Sequence, residues 1–434
     1  MNRFIIFFIL FNLTVSCSFN SNSKFWTSSR DIDSEDIKSK KIVLEKKRII
    51  TNELNPNLKI KLDLNINNNF PKNILSNNNG TVKYDGDLKK ISRYKFSKIK
   101  NFDRYEPEIS FFKNDIIFFD NKGTILRFDE NSKLIWKKNY YSKSEKKLNP
   151  ILQFSNNENI LIVTDSIAKY YMLNLNTGNL IWSKNNIAPF NSQIKIYKKK
   201  FFVIDFSNTL RCFSLKDGSE LWNVRTENTL IRSKKKLSMV IIKDNLYFNN
   251  SLGDITAVDT KDGQILWQLP TQNSLIIESA FSLETSDLIA DDKSLYFSNN
   301  KNQFFSIDLR TGTFNWETTI NSNTRPTIID DLLFTVSMEG RLIVLQKNNG
   351  NIIRITDIFD NFKLKDRSKI KPVGFVVGMK NIYLSTSNGK LIIIDIASGK
   401  TISTLKIDNE KISRPLIVNK NMFIIKDNAI IKLN

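Results

Sequence analysis

The stretch Asp308-Leu309-Arg310-Thr311-Gly312-Thr313-Phe314-Asn315-Trp316 decides the fold, because altered copies of it recur along most of the chain. The same frame runs from Asn174 through Gly178 to Trp182, from Ser214 through Gly218 to Trp222, and from Asp259 through Gly263 to Trp267, with Trp always four residues after Gly. Ser132 stands four residues before Trp136, and Gly350 and Gly399 keep the turn while Arg354 and Ser403 occupy the Trp place. These seven stations lie about 38 to 49 residues apart, a spacing that signals a repeat architecture. Each reads as a tight turn between two strands. Gly supplies the positive φ the turn needs, and Trp on the following strand is expected to anchor the core between neighbouring units.

Two further marks precede each station. A polar turn leading into a β-rich run occurs eight times, at Asn114-Asp115, Glu158-Asn159, Lys199-Lys200, Asp244-Asn245, Asp292-Lys293, Asp330-Asp331, Lys380-Asn381 and Lys420-Asn421. The run that follows also occurs eight times, as in Gly253-Asp254-Ile255-Thr256-Ala257-Val258 and finally Ala429-Ile430-Ile431-Lys432-Leu433. The Gly turn with its fourth strand occurs only seven times, so the last four-stranded unit lacks a strand when the sequence reaches Asn434. A circular array makes up the deficit by borrowing a strand from the N-terminal side, and Leu88 to Phe96 stands in the right place. The expectation is an all-β fold, an eight-bladed β-propeller whose last blade is closed by an N-terminal strand, leaving no open break in the ring.

The N-terminal region reads differently. Met1-Asn2-Arg3 is followed by an apolar run from Phe4 to Phe11 and then Asn12-Leu13-Thr14-Val15-Ser16-Cys17, a secretory signal too short to span a bilayer. The Leu-Thr-Val-Ser-Cys ending resembles the lipobox of bacterial lipoproteins, which would make Cys17 the lipidated residue; an ordinary cleaved export signal is the alternative. Ser18 to about Lys72 is rich in Ser, Asn and Lys and shows no sustained period, so it reads as a tether. The expected boundaries are 1–17 for the signal peptide, 18–80 for a flexible tether and 81–434 for the propeller.

Composition narrows the chemistry. The 434 residues include no His, which removes the commonest general base and metal ligand, so imidazole-based catalysis is excluded. With Cys17 assigned to lipid, Cys212 has no partner for an intramolecular disulfide and is expected to pack as a small hydrophobe. The formal charge of +21 is spread along the chain in short runs such as Lys198-Lys199-Lys200 and Lys234-Lys235-Lys236, which fits a Lys-, Asn- and Ile-rich composition as well as an anion-binding face.

The Asp-x-x-Thr-Gly-x-x-x-Trp repeat resembles the PQQ-like propeller repeat, over Tyr105 to Asn434. One such propeller behind a lipobox-like signal is similar to the BamB family of lipoproteins in the outer-membrane β-barrel assembly machinery. Lys47-Arg48-Ile49-Ile50 followed by Phe70-Pro71 resembles the pre-propeller segment of α-proteobacterial members, with Phe70 in the place of their Trp. The resemblance implies a non-catalytic scaffold subunit, lipid-anchored at the periplasmic face of the outer membrane, that aids folding and insertion of barrel proteins. Its implied partners are the large β-barrel subunit, through that subunit's periplasmic domains, nascent outer-membrane proteins, and the membrane through the lipid; no nucleic acid is implied. In the family a Leu-x-Leu-Arg loop contacts the barrel subunit. The nearest match is Thr229-Leu230-Ile231-Arg232, which makes Leu230, Ile231 and Arg232 the expected contact residues. No catalytic residue, metal or cofactor is assigned. The alternatives are a PQQ-dependent dehydrogenase and a glycan-binding propeller. Such dehydrogenases commonly carry adjacent Cys residues, a carboxylate-held Ca²⁺ and an Asp base, whereas Asp259, Asp308 and Asp395 fall in the repeat turn, where capping of nearby backbone explains them.

Overall fold

In each repeat the two middle strands are apolar on both sides, and only a sheet covered on both faces accommodates that. The computed structural model describes residue 50 and residues 52–62, 77, 80, 82–100, 102, 105, 107–226, 233–271 and 283–434. Among the described residues the strands form eight four-stranded antiparallel sheets, the blades of an eight-bladed β-propeller, numbered here in chain order. Blade 5 shows the plan: Ile289–Ala290, Ser294–Asn299, Gln303–Asp308 and Phe314–Thr318, with the middle strands buried and the fourth largely exposed. The first strands lie innermost around the axis, and those of blades 1 and 3 pack against that of blade 2. Large aromatics such as Phe118, Phe201, Phe202 and Phe248 fill the spaces between sheets.

The eighth sheet is closed as its strand count requires. Its order runs from Lys90–Lys95 through Ala429–Leu433 and Asn421–Lys426 to Leu416–Val418. Arg93 pairs with Ile431, Tyr94 with Ile430 and Lys95 with Ala429. Joining a strand from before blade 1 to the last strand of the chain ties the ring shut and leaves no unpaired break.

The repeat turn is built from its own side chains. Asp308 Oδ1 accepts hydrogen bonds from the backbone N–H of Arg310 and Thr311 and from Thr311 Oγ1, and Asn174 Oδ1 accepts from the N–H of Asn176 and Thr177. Gly312 follows with φ +72°, and Ser132 adopts φ +65° at the one station without Gly. A second reason for Gly comes from the neighbouring blade. A Cβ on Gly312 would meet the Trp267 ring at 2.5 Å, and one on Gly218 the Trp182 ring at 2.7 Å. The same stacking sets Gly178 on Trp136 and Gly263 on Trp222.

Each Trp is therefore an inter-blade clasp. The indole N–H of Trp136, Trp182, Trp222, Trp267 and Trp316 donates to a carbonyl in the next blade's turn at 3.0–3.2 Å. The rings are half-buried, because the fourth strand lies at the outer edge of each blade. They are less enclosed than a core anchor would be. In blade 6 Arg354 takes the Trp place and is fully buried. Its Nη2 donates to Ile396 O of blade 7 at 3.0 Å, the bond an indole makes elsewhere.

Arg354 also holds part of the chain expected to be a tether. Its Nη1 donates to Leu58 O at 3.0 Å and to Ala397 O. Leu54 and Ile355 exchange backbone hydrogen bonds as an antiparallel bridge, and Ile60 N–H donates to Ala397 O at 2.9 Å. A fully flexible tether over 18–80 is thus corrected for the described residues 52–62. The physical reason is an unpaired outer edge on blade 6 next to a buried cation that needs carbonyl partners. Cys17 and residues 1–48 lie outside the described residues; Ile49–Asn434 forms one compact unit.

Candidate functional site

Five repeats carry a polar or charged residue just ahead of the first strand: Glu108 before Ser110, Gln193 before Lys195, Asp287 before Ile289, Arg325 before Thr327, and Arg414 before Leu416. Because first strands surround the axis, this register brings all five to one place, joined by Lys195 and Lys236. At three of the five, Gln193, Asp287 and Arg414, the backbone is fixed by a serine one residue earlier. Ser192 Oγ, Ser286 Oγ and Ser413 Oγ accept the N–H of Ile204, Ser298 and Ile425 on the second strand. The same hydroxyls donate to the carbonyls of Gln193, Asp287 and Arg414.

The result is an axial pocket of about 240 Å³, with Phe111, Phe154, Phe423 and Ile425 as its apolar wall. Glu108, half exposed, pairs with Lys236 across the ring at 2.6 Å. Arg414 Nε donates to Phe375 O at 3.0 Å. Burial works to raise the Asp287 carboxyl, but Lys235, Arg325, Lys236 and Arg414 outweigh it and hold it below the usual carboxylate range. Burial, with Arg325 and Lys236 adding to it, pushes the Lys195 ammonium down to about 7 against the pull of Glu108 and Asp287.

The pocket lies on the end of the ring that carries the blade-to-blade connections. At the opposite end, beside the turns between first and second strands, the pre-propeller residues bind inner strands. Asn77 exchanges hydrogen bonds with Ile241 of blade 4 through its amide and accepts the N–H of Ala290 of blade 5. Val82 N–H donates to Val377 O of blade 7, and Met379 N–H donates to Tyr84 O.

Lys195 gives a pH prediction. Below pH 7 it is charged in both the folded and unfolded chain, so the cost of burying that charge is fully present. As pH rises from 7 to the ordinary value of 10.5, the unfolded chain holds a proton the folded chain has released, and stability rises with pH. Lys195→Met should therefore unfold at higher denaturant than the parent at pH 6, by about 1–3 kcal/mol, with the advantage fading by pH 10. A pH-independent difference would contradict this assignment.

The family model for the outer membrane protein assembly factor BamB matches residues 121–356, more than half of the chain. The chain belongs to the BamB family. The matched range ends on the strand that bears Arg354, Ile352–Asp357. Among solved structures, BamB from Moraxella catarrhalis is similar with a TM-score of 0.66 at 16% identity, covering 80% of this chain and 99% of that one. The quinohemoprotein alcohol dehydrogenase of Comamonas testosteroni has a TM-score of 0.58 at 10% identity, over 81% of this chain and 78% of that one. A europium-containing methanol dehydrogenase has a TM-score of 0.61 at 10% identity, over 82% and 89%. Likeness at these identities shows the shared propeller alone. No curated protein matches this chain.

The loop expected to carry the BamB-family contact, with Leu230, Ile231 and Arg232, lies outside the described residues. Its base is placed at the connection end of blades 3 and 4: Thr226 N–H and Oγ1 donate to Asn208 O, and Asn191 Nδ2 donates to Ser233 O at 3.0 Å. Two other long connections fold back on the ring. One is tied by Tyr141 OH donating to Asp165 Oδ2 at 2.5 Å, the other by Arg367 pairing with Asp357 at 3.0 Å. Cys212 is buried, and burial pushes its thiol up to about 12, the state of an inert packing residue. Asp259, Asp308 and Asp395 cap backbone in the repeat turns. The axial residues escaped sequence reading because each looks ordinary within its own repeat; aligning the repeats on their second strands would have shown the shared register.

Proposed function

We propose that this chain is a non-catalytic scaffold subunit of the machinery that folds and inserts outer-membrane β-barrel proteins, held at the periplasmic face of the outer membrane by a lipid on Cys17. The observation that carries this reading is the match of residues 121–356 to the BamB family model. The closed ring supports it, since a rigid propeller displays long connections from one end, where partner contacts are expected. The partner proposed for those connections is the large barrel subunit through its periplasmic domains, with Leu230, Ile231 and Arg232 in the contact. Nascent barrel proteins are the proposed clients.

Affinity purification of the full chain from detergent-solubilised membranes tests the reading. It should recover the large barrel subunit, and Arg232→Glu should reduce that recovery about tenfold or more by placing a like or unpaired charge at the contact. Recovery of the subunit unchanged by Arg232→Glu would remove the loop assignment, and failure of the parent chain to recover it would remove the function. Labelling with a fatty-acid analogue tests the anchor, with loss of label in Cys17→Ala as the expected outcome.

A further inference from the structure

We propose that the axial pocket is a binding site for a compact oxyanion carrying two negative charges, of the size of inorganic phosphate or a small dicarboxylate. The first observation is a charge excess. Among the described residues, Lys195, Lys236, Arg325 and Arg414 line the pocket against two carboxylates, Glu108 and Asp287. Lys235 also bears on Asp287 from outside the pocket, so part of that carboxylate's charge is already answered there. A cluster that served only to satisfy itself would carry matched charges, because an excess of one sign away from bulk water is costly.

The second observation is placement. The four cations come from blades 3, 4, 6 and 8, so they converge on the cavity from separated directions around the axis, as recognition of a multi-oxygen anion requires. A volume of about 240 Å³ admits several atoms beyond a single water, whose share of the liquid is about 30 Å³. The apolar wall of Phe111, Phe154 and Phe423 lowers the local dielectric and strengthens the field the cations set up. Serine clasps fix the backbone beneath Gln193, Asp287 and Arg414, so the charges are held in place before a ligand arrives. The mouth faces the connection end, and Glu108, half exposed and paired with Lys236, stands at its rim.

The groups facing Lys195 are Arg325, Glu108, Asp287 and Lys236. A bound dianion adds negative charge among them and favours the ammonium form. Binding above pH 7 should therefore take up protons, visible as a dependence of the heat of binding on the ionisation enthalpy of the buffer.

Isothermal calorimetry on the purified full chain tests the site, with sodium phosphate and sodium succinate as separate probes and sodium chloride at equal ionic strength as the control. At least one dianion should bind beyond the chloride control, and which one does so separates an inorganic from an organic ligand. Lys195→Met should weaken that binding about tenfold or more, whereas Glu108→Gln, which frees Lys236 and removes a negative charge at the rim, should tighten it about threefold. Opposite shifts in two variants cannot come from a shared folding defect. No binding beyond chloride, or affinities unchanged in both variants, overturns the proposal.

Discussion

Replacing Arg354 with alanine should lower the unfolding free energy by about 3–5 kcal/mol, because a buried charged donor and its partners are lost together. The carbonyls of Leu58 and Ile396 would lose this donor, while that of Ala397 would keep the N–H of Ile60. Burial pushes the guanidinium only down to about 10, so the side chain is a cation throughout the neutral range. Arg354→Trp separates its two tasks. An indole donor at this place should restore the bond to blade 7, as at the other stations, but it has no second donor for Leu58. The Trp variant should therefore recover much of the stability while residues 52–62 become open to limited proteolysis. A denaturant midpoint for Arg354→Ala equal to that of the parent would show that the guanidinium holds nothing. Equal protection of the segment in Arg354→Trp would show that the backbone bonds of Leu54 and Ile60 suffice.

Removing the closing strand should have the other large effect. Without Lys90–Lys95 the eighth sheet has three strands, and the largely buried Ala429–Leu433 becomes its outer edge, where the other seven sheets end on a fourth strand. Such an edge templates pairing with other chains, so a chain lacking residues 1–96 should be recovered mainly as aggregate. A milder substitution gives a number. Tyr94 is 1% exposed, packs edge-on against Phe128 at 5.7 Å and donates from its hydroxyl to Glu130 O of blade 1 at 3.0 Å. Tyr94→Ala should cost about 3–5 kcal/mol, read as a lower midpoint at unchanged denaturant slope. A soluble deletion variant melting cooperatively near the parent temperature would mean that the ring does not depend on its lace.

These two sites differ in how far they could be read from the chain. The lace follows from counting: eight triples and seven fourth strands leave one sheet short, and the strand at Lys90–Lys95 falls inside the stretch 88–96 that the count singles out. Arg354 could be seen only as a departure from the Trp pattern. That a guanidinium preserves the bond to the next blade and recruits a distant segment depends on where Leu58 and Ala397 come to rest. Residues 52–62 carry too few apolar side chains to announce a packed element. Their order comes from backbone groups meeting an open edge and from Ile60, buried against apolar residues such as Ile358 and Ile396, and composition does not record those interactions.

Sequence by itself determined the blade count, the ring closure and the family, because each rests on a local pattern repeated often enough that periodicity and turn chemistry agree. The capping Asp, the positive-φ Gly and the Trp all act within one repeat or on its immediate neighbour, so one copy predicts the next. Only the tertiary structure decided the axial pocket and the docking of the N-terminal segment. Both join residues far apart in the chain: Glu108 meets Lys236 across the ring, and Leu58 meets Arg354. The register that brings five polar side chains to one axis has meaning only once eight sheets share that axis. Its excess of positive charge is a sum over blades that no single repeat contains.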